Sequence, residues 1–184
     1  RDIARFTSMD KKAKLVNRNL YPILDEKTSF TEFFDPQYFY QQLWAFEQIL
    51  KRKPMVHIDV GSTYAFSGYV SKITKAVFIE LRPIKTSLHN LEIKRGDILQ
   101  LPIPNNSVES LSSLCVAGHV GLGRYGDAID PQGTKKACKE LSRVLSKGGF
   151  LYFSTTIGKE RICFNAHRVY APETILKYFK GLKL

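Results

Sequence analysis

Hydrophobic and polar positions follow two different patterns along this chain, and the change occurs near residue 53. Before it, apolar residues recur at steps of three and four and predict one buried face on a helix over residues 35–52, formed by Phe39, Leu43, Phe46 and Leu50. After it, short apolar runs alternate with segments of helical period. Such alternation predicts a mostly parallel sheet, because parallel strands need crossover connections, which helices usually supply.

The second pattern divides into predicted strands and helices. The strands are 55–60, 76–80, 92–95, 108–117 and 150–154, and residues 182–184 have the pattern of a further strand. The helices are 65–72, a short one after Pro83, 135–145 and 172–180; a long glycine-rich loop reaches Gly133, and Gly148-Gly149 ends the helix before them. We therefore predict an α/β fold of three layers, in which helices cover both faces of a sheet of five or six strands.

Length and composition are those of one globular domain. The chain has 184 residues, of which 43% are hydrophobic and 24% charged. These values argue against a disordered or collagen-like chain, and no apolar run approaches the ~20 residues that span a bilayer. Residues 1–34 are polar and basic and are predicted to form an N-terminal arm with room for a short helix, which leaves residues 35–184 as the domain.

The charge is strongly positive. There are 28 Lys and Arg against 17 Asp and Glu, a net charge of +11. This excess suggests an anionic partner: a phosphorylated substrate, a nucleic acid or a membrane surface. The three cysteines are too far apart in the sequence for a C-x-x-C motif, and no secretory leader is visible, so we expect a cytoplasmic protein.

Chemically distinctive residues follow the predicted strands. Asp59 and Gly61 come at the end of the first, Glu80 ends the second, Asp97 follows the third and His119 the fourth. Ligands of open parallel sheets bind beyond the carboxyl ends of the strands, so we expect one site there. A glycine lets a ligand approach the backbone, and an acid at the second position can accept both hydroxyls of a ribose. The dinucleotide fingerprint G-x-G-x-x-G is absent, because residues 61–68 have the sequence GSTYAFSG, and this disfavours NAD.

The ordered series resembles the class I S-adenosylmethionine-dependent methyltransferases. The matching stretches are HIDVG at 57–61, VFIE at 77–80, GDILQLPIPNNSVESL at 96–111 and KELSRVLSKGG at 139–149. The resemblance implies the Rossmann-like fold of that family and S-adenosyl-L-methionine as cofactor. It also implies two further strands at the C-terminal edge of the sheet, which we expect to be missing from this chain. The implied cofactor-binding residues are Asp59, Gly61, Ser62, Glu80, Asp97 and Ile98.

One departure from the family pattern concerns the turn after the first strand. The family has x-G-x-G where this chain has Ser62-Thr63-Tyr64-Ala65, so the turn is bulkier. Either a hydroxyl of Ser62 or Thr63 supplies polar contacts to the cofactor, or cofactor binding is weakened or lost. The second outcome would leave a non-catalytic protein that uses the fold for binding.

A narrower resemblance links the chain to an uncharacterised methyltransferase-like family. It is carried by residues 121–131 and 158–170, with further matches at 21–24 and 38–44. That family occurs in bacterial polysaccharide biosynthesis clusters and in nematodes. The resemblance implies O-methylation of a sugar or glycan precursor, without naming the substrate.

Two histidines are candidate catalytic residues. His119 follows the fourth strand and His167 the fifth, and an imidazole of pKa near 6.5 suits a general base that acts on a hydroxyl. A histidine at the first position can equally be part of the cofactor-pocket wall. Asp127 and Asp130 could join His119 in a metal site, but Asp130 is explained more simply as a helix N-cap, and we predict no metal.

Three arginines in the same two loops are candidate substrate-binding residues: Arg124, Arg161 and Arg168. Guanidinium groups suit phosphate or carboxylate, which favours an acidic or phosphorylated small-molecule or glycan acceptor; the alternative is solvated loop charge. A nucleic-acid methyltransferase or binder is favoured by the charge. However, no N/D-P-P-Y/F segment follows the fourth strand, and much of the charge lies in the arm and on the helix over 135–145, so we do not expect a nucleic-acid partner.

Overall fold

The computed structural model describes residues 2–10, 12, 15–20 and 35–183. The chain divides into two units, Arg1–Asp35 and Pro36–Leu184. In its described part the first unit has a helix α1 (Asp2–Met9) and a 3₁₀ helix (Asn17–Asn19). Residues 21–24, which carry part of the narrower resemblance, lie outside the described residues.

The second unit is built on a five-stranded parallel sheet. Its strands are β1 (Val56–Val60), β2 (Lys75–Glu80), β3 (Leu91–Arg95), β4 (Val108–Leu114) and β5 (Leu145–Ser154), in the order β3-β2-β1-β4-β5. Its helices are α2 (Pro36–Arg52), α3 (Tyr64–Val70), α4 (Gly133–Val144) and α5 (Pro172–Tyr178), with a 3₁₀ helix at Ala117–His119. The predicted α/β architecture with a parallel sheet is confirmed.

Helices cover both faces of the sheet because the strands are apolar on both. On one face α2 and α3 bury their side chains against the sheet, in a cluster of Ala45, Ile49, Phe66, Val70, Ala76, Leu114 and Tyr152. On the other face the buried side of α4 packs on the sheet, in a cluster that includes Val60, Val77, Ile79, Leu111, Ala137, Leu141 and Val144. Neighbouring β2 residues Ala76 and Val77 thus belong to opposite layers, as successive side chains of a strand must. None of the described helices has the length and apolarity needed to cross a bilayer.

The junction of α4 and β5 differs from the prediction. The helix ends at Val144 and the strand begins at Leu145, so Gly148-Gly149 lies inside the strand rather than at the end of the helix. The register with β4 is irregular here, since Val108 pairs with Leu145 and Ser110 with Phe150. Gly148 has a φ of +79°, a conformation that glycine adopts without steric cost, and it absorbs the extra residues of the longer strand.

The predicted apolar face of α2 is not its buried face. Phe39, Leu43 and Leu50 are each nearly half exposed, whereas Ala45 and Ile49 are the residues that α2 buries.

Other predicted elements are also corrected. The segment after Pro83 is not helical, and no strand begins at residue 182. Asp130 is not the N-cap of α4, because the helix begins three residues later at Gly133. The segment after β5, predicted as a loop, contains an antiparallel hairpin of β6 (Arg161–Cys163) and β7 (His167–Val169).

Candidate functional site

A cavity of about 280 Å³ opens at the carboxyl edge of the sheet. Because β1 to β4 run parallel, the segments that follow them meet at this edge. The lining includes five of the six predicted cofactor-binding residues and one predicted catalytic residue: Gly61, Ser62, Glu80, Asp97, Ile98 and His119. The structure thus brings these residues together, and their contact with a ligand stays a prediction.

The turn after β1 requires a glycine at its first position. Gly61 has a φ of +72°, and a Cβ built there would lie 2.9 Å from Val116 Cγ1. Its N–H donates to the carbonyl of Ile79 on the neighbouring strand, at 2.9 Å. A larger residue would therefore both strain the backbone and push Val116, which also lines the cavity, out of place.

The hydroxyls of Ser62 and Thr63 in this turn are used inside the fold. The Ser62 hydroxyl accepts from the Leu114 N–H of β4 at 2.9 Å. The Thr63 hydroxyl accepts from the Phe66 N–H at 3.2 Å and caps the first turn of α3. Both side chains therefore fix the path of the turn, and the bulkier sequence is accommodated by bonds to the neighbouring elements.

Two carboxylates at the cavity are only partly used by the protein. One oxygen of Glu80 accepts from the Arg82 N–H at 3.0 Å, and one oxygen of Asp97 accepts from the Leu99 N–H at 2.8 Å. Within the described residues, the second oxygen of each carboxylate accepts no hydrogen bond. Each can therefore accept a hydroxyl or amino group of a ligand while its backbone bond fixes its orientation.

Asp59 lies beneath the cavity and does not line it. It is 1% exposed, and its carboxylate accepts from the Ser62 N–H and from the Ser67 hydroxyl, both at 3.2 Å. Burial raises the pKa of this carboxyl to about 7, although the hydrogen bonds from Ser62 and Ser67 act in the opposite direction. Asp59 would therefore affect a ligand indirectly, by fixing the turn after β1.

A histidine that the sequence analysis did not single out is buried in the same layer. Both ring nitrogens of His57 are hydrogen-bonded to hydroxyls, at 2.7 Å to Ser110 and 2.9 Å to Ser112. Burial lowers the pKa of His57 to about 3, so the ring is neutral. The alternation of polar and apolar residues in β1 and β4 was the available signal, since His57 and both serines point to one face.

His119 is oriented by the hairpin. Its Nδ1 lies 2.6 Å from the carbonyl oxygen of Ala166. A carbonyl only accepts, so Nδ1 carries the proton and Nε2 is the acceptor of the neutral ring. Burial lowers the pKa of His119, and the charges of Arg124 and His167 lower it further. His167 does not line the cavity, but its ring centroid is 6.1 Å from that of His119.

The three predicted substrate-binding arginines are not brought together, and none lines the cavity. Arg124 is exposed, and its Nη1 donates to the Ala166 carbonyl at 3.3 Å, near His119. Arg161 is exposed on the hairpin and donates to the carbonyl of Lys159 at 3.0 Å.

Arg168 is 4% exposed and its guanidinium faces the fold. It donates to the carbonyl of Val120, to the carbonyl of Asp130 at 3.0 Å and to the Thr134 hydroxyl at 3.4 Å. These bonds tie the hairpin to the loop between β4 and α4. The site proposed below therefore does not include Arg168.

Other residues of the glycine-rich loop have structural partners as well. The Asp127 carboxylate accepts from the N–H groups of Gly121, at 2.6 Å, and Tyr125, at 3.2 Å. Asp130 forms an ion pair with Lys136 at 2.6 Å. Among the residues that the structure describes, no group of three or more His, Cys, Asp or Glu side chains could hold a metal ion.

Among the lining residues that sequence reasoning missed are Arg82 and Tyr125. Arg82 follows Glu80 by two positions, and Tyr125 follows Arg124 by one. The only signal in the sequence was that each of these residues lies next to, or two positions from, a predicted site residue. It is weak, because the contact between the two side chains depends on loops that are 43 positions apart in the sequence.

Sequence comparisons place part of the chain in a described family. A model described as "Caenorhabditis protein of unknown function, DUF268" matches residues 93–184. No curated protein matches the sequence.

Solved structures with the same fold include proteins of different activity. The [4+2]-cyclase SpnF is 15% identical, with a TM-score of 0.55 over 76% of this chain and 55% of that one. A Burkholderia thailandensis 1,6-didemethyltoxoflavin-N1-methyltransferase, solved with S-adenosylhomocysteine, is 10% identical, with a TM-score of 0.60 over 81% and 68%. The YcgJ protein from Bacillus subtilis is 14% identical, with a TM-score of 0.54 over 76% and 67%.

These likenesses show the fold, a Rossmann-like α/β fold shared with methyltransferases. The chain spans 55% to 68% of the lengths of these three proteins.

Replacing Asp59 by Asn tests the buried carboxyl. A folded-state pKa of about 7, against 3.8 ordinarily, means that the folded protein holds a proton that the unfolded chain has released. The wild type should therefore lose stability relative to Asp59→Asn as the pH rises from about 4 to about 7, by at most ~1.4 kcal/mol per pH unit, with no further change above that range. Urea unfolding at a series of pH values measures this, and a difference that does not vary with pH would contradict it.

Arg168 and Arg161 form a matched pair for testing whether the hairpin arginines support the fold. Arg168→Ala should lower the free energy of unfolding by about 2–3 kcal/mol, because it leaves buried carbonyls without donors. Arg161→Ala should change it by less than about 0.5 kcal/mol, as exposed substitutions usually do. Thermal and chemical denaturation of both variants decide the point; equal stabilities would show that Arg168 is not a structural anchor.

Proposed function

The chain belongs to the DUF268 family, whose model matches half of its residues, and we propose that it is an S-adenosyl-L-methionine-dependent methyltransferase. The observation that carries the proposal is the joint position of Gly61, Glu80 and Asp97 at one cavity on the carboxyl edge of the sheet. Their order along the chain is that of the methyltransferase pattern. The fold supports the same conclusion, since it is shared with a methyltransferase solved with S-adenosylhomocysteine.

The residues fit the adenosine half of this cofactor. In the proposed complex the open oxygen of Glu80 accepts hydrogen bonds from the ribose hydroxyls, and Asp97 accepts a hydrogen bond from the amino group of the adenine. Ile98 supplies an apolar wall for the base; it is 8% exposed and lines the cavity. Gly61 lines the cavity without a side chain, so the rest of the molecule can approach its backbone closely.

A non-catalytic binding protein is the second candidate, and the turn after β1 favours it. The hydroxyls of Ser62 and Thr63 accept from backbone N–H groups of the fold. In the proposed enzyme the methionine half is therefore held by backbone groups and by residues across the cavity. In a non-catalytic protein the same two hydrogen bonds would mean that the turn has no side-chain hydroxyl left to bind a cofactor.

Methyl transfer makes modest demands on the protein. When bound, the cofactor supplies a methyl group already activated on a sulfonium. The chain has to hold the acceptor in line with it and remove the acceptor's proton. We assign proton removal to Nε2 of His119, since Nδ1 is committed to Ala166 and burial keeps the ring neutral. His167, whose ring centroid lies 6.1 Å from that of His119, is assigned a supporting role.

The acceptor that we propose is a hydroxyl of a sugar or glycan precursor. A hydroxyl needs a base for its methylation, and the arrangement of His119 provides one. The narrower resemblance to a family found in polysaccharide clusters supports the same class of acceptor. All three cysteines are free thiols, as expected in the reducing cytoplasm, where we propose that the protein works.

Calorimetric titration with S-adenosylhomocysteine tests the cofactor site. We expect saturable binding by the wild type and a loss of about ten- to hundredfold in affinity for Glu80→Gln, because a hydrogen bond to a charged acceptor contributes about 1.5–3 kcal/mol. Glu109→Gln, at an exposed position of β4 that does not line the cavity, is the matched control and should bind as the wild type does. Absence of binding by the folded wild type, or equal affinities for all three proteins, would refute the cofactor assignment.

A further inference from the structure

Two arginines at the cavity meet on one aromatic ring. Arg82, from the segment after β2, has its Cζ 4.9 Å from the centroid of the Tyr125 ring. Arg124, from the loop between β4 and α4, has its Cζ 5.2 Å from the same centroid. Both distances are within the range of a cation–π interaction. Arg82 and Tyr125 line the cavity. Arg124 does not line it, but its guanidinium lies against the Tyr125 ring at the rim.

The guanidiniums have few partners of their own. In the part of the chain that the structure describes, neither lies within 4.0 Å of a carboxylate. Arg124 donates one hydrogen bond, to the Ala166 carbonyl. The nearby acids bond to backbone groups instead of to these guanidiniums: Glu80 accepts from the N–H of Arg82, and Asp127 from those of Gly121 and Tyr125. Most guanidinium N–H groups at this rim are therefore available to a ligand.

The chemistry of such a pair favours an oxyanion. A guanidinium presents its donors in a planar fork that matches phosphate and carboxylate oxygens. Both positive charges lie beside the same ring, so both attract an anion that binds next to it. The aromatic ring limits the motion of both side chains, so less conformational entropy is lost when they bind.

We propose that Arg82 and Arg124, positioned by Tyr125, bind a phosphate or carboxylate group of the acceptor molecule. This inference deepens the proposed function and rests on it for the identity of the ligand as an acceptor. It assigns a ligand-binding role to Arg82 and to the ring of Tyr125. It also separates Arg124, in the loop between β4 and α4, from Arg161 and Arg168, which lie on the hairpin.

The pair lies beside the histidine that we assign as base. The ring centroids of Tyr125 and His119 are 5.8 Å apart. Burial lowers the pKa of His119 most, and the charges of Arg124 and His167 lower it further, whereas hydrogen bonding to the backbone of Ala166 and of Cys115 raises it. An anion at the two arginines would offset the charge of Arg124 and raise this pKa. Acceptor binding would thereby make His119 a stronger base.

Phosphate binding by the full chain tests the pair without the cofactor. Inorganic phosphate is titrated into the wild type, Arg82→Gln, Arg124→Gln and the control Arg161→Gln, whose side chain is exposed on the hairpin away from the cavity. We expect saturable binding by the wild type, at least fivefold weaker binding by the first two variants, and a change of less than twofold for the control. Circular dichroism confirms that each variant is folded. No saturable binding by the wild type, or equal weakening in all three variants, would overturn the proposal.

The histidine supplies a second readout. Phosphate should raise the pKa of His119, followed by NMR titration of its ring proton, in the wild type but much less in Arg124→Gln. An unchanged His119 titration at saturating phosphate would contradict the placement of the anion beside Arg124.

Two further arms identify the ligand class and separate this proposal from the cofactor assignment. Acetate replaces phosphate, and the tighter of the two indicates which oxyanion the acceptor carries. A single-stranded oligonucleotide that binds tightly, and loses binding with the same two substitutions, would overturn the proposal in favour of a nucleic-acid site. Loss of the phosphate result while S-adenosylhomocysteine still binds would refute only this inference; phosphate binding without S-adenosylhomocysteine binding would refute only the proposed cofactor.

Discussion

The hydrogen bond from the Leu114 N–H to the Ser62 hydroxyl joins the turn after β1 to the end of β4. β1 is the central strand of the sheet and β4 pairs with it, and the cavity opens where both strands end. Asp59 holds the same turn from below, through the Ser62 N–H. The two sides of the site, with Glu80 and Asp97 on one and His119 on the other, keep their spacing because this junction is fixed. The bond on which the site depends is thus made by Ser62, the residue that directly follows Gly61.

The residues around the cavity come from both halves of the chain. Gly61 and Glu80 precede residue 93, whereas Asp97, His119 and Arg124 fall within the residues that the DUF268 model matches. The matched half therefore contains the base that we propose, one of the two arginines at the rim and the hairpin that orients His119. The features that we assign to the acceptor are mostly features of the matched half, and the ribose-binding acid that we propose is not.

Much of the fold and part of the site follow from local pattern. The strand ends were predictable because apolar runs stop where polar residues begin, and parallel connection then places Gly61, Glu80 and Asp97 at one edge. The role of Arg168 was not predictable, since it depends on carbonyls of Val120 and Asp130 that are 48 and 38 positions away. The start of β5 was also missed. A glycine pair after a helical segment usually indicates the end of the helix. Only the pairing with β4 shows that Gly148 lies inside β5, where its positive φ accommodates the irregular register.

A crystal structure of the full chain grown with S-adenosylhomocysteine tests the central claim most directly. The account predicts density for the ligand at the carboxyl edge of the sheet, with its ribose hydroxyls on the carboxylate of Glu80 and its base beside Asp97 and Ile98. Its sulfur would face the side of the cavity that holds His119. A ligand bound at any other place, or a cavity that remains without ligand at saturating concentration, would contradict the account.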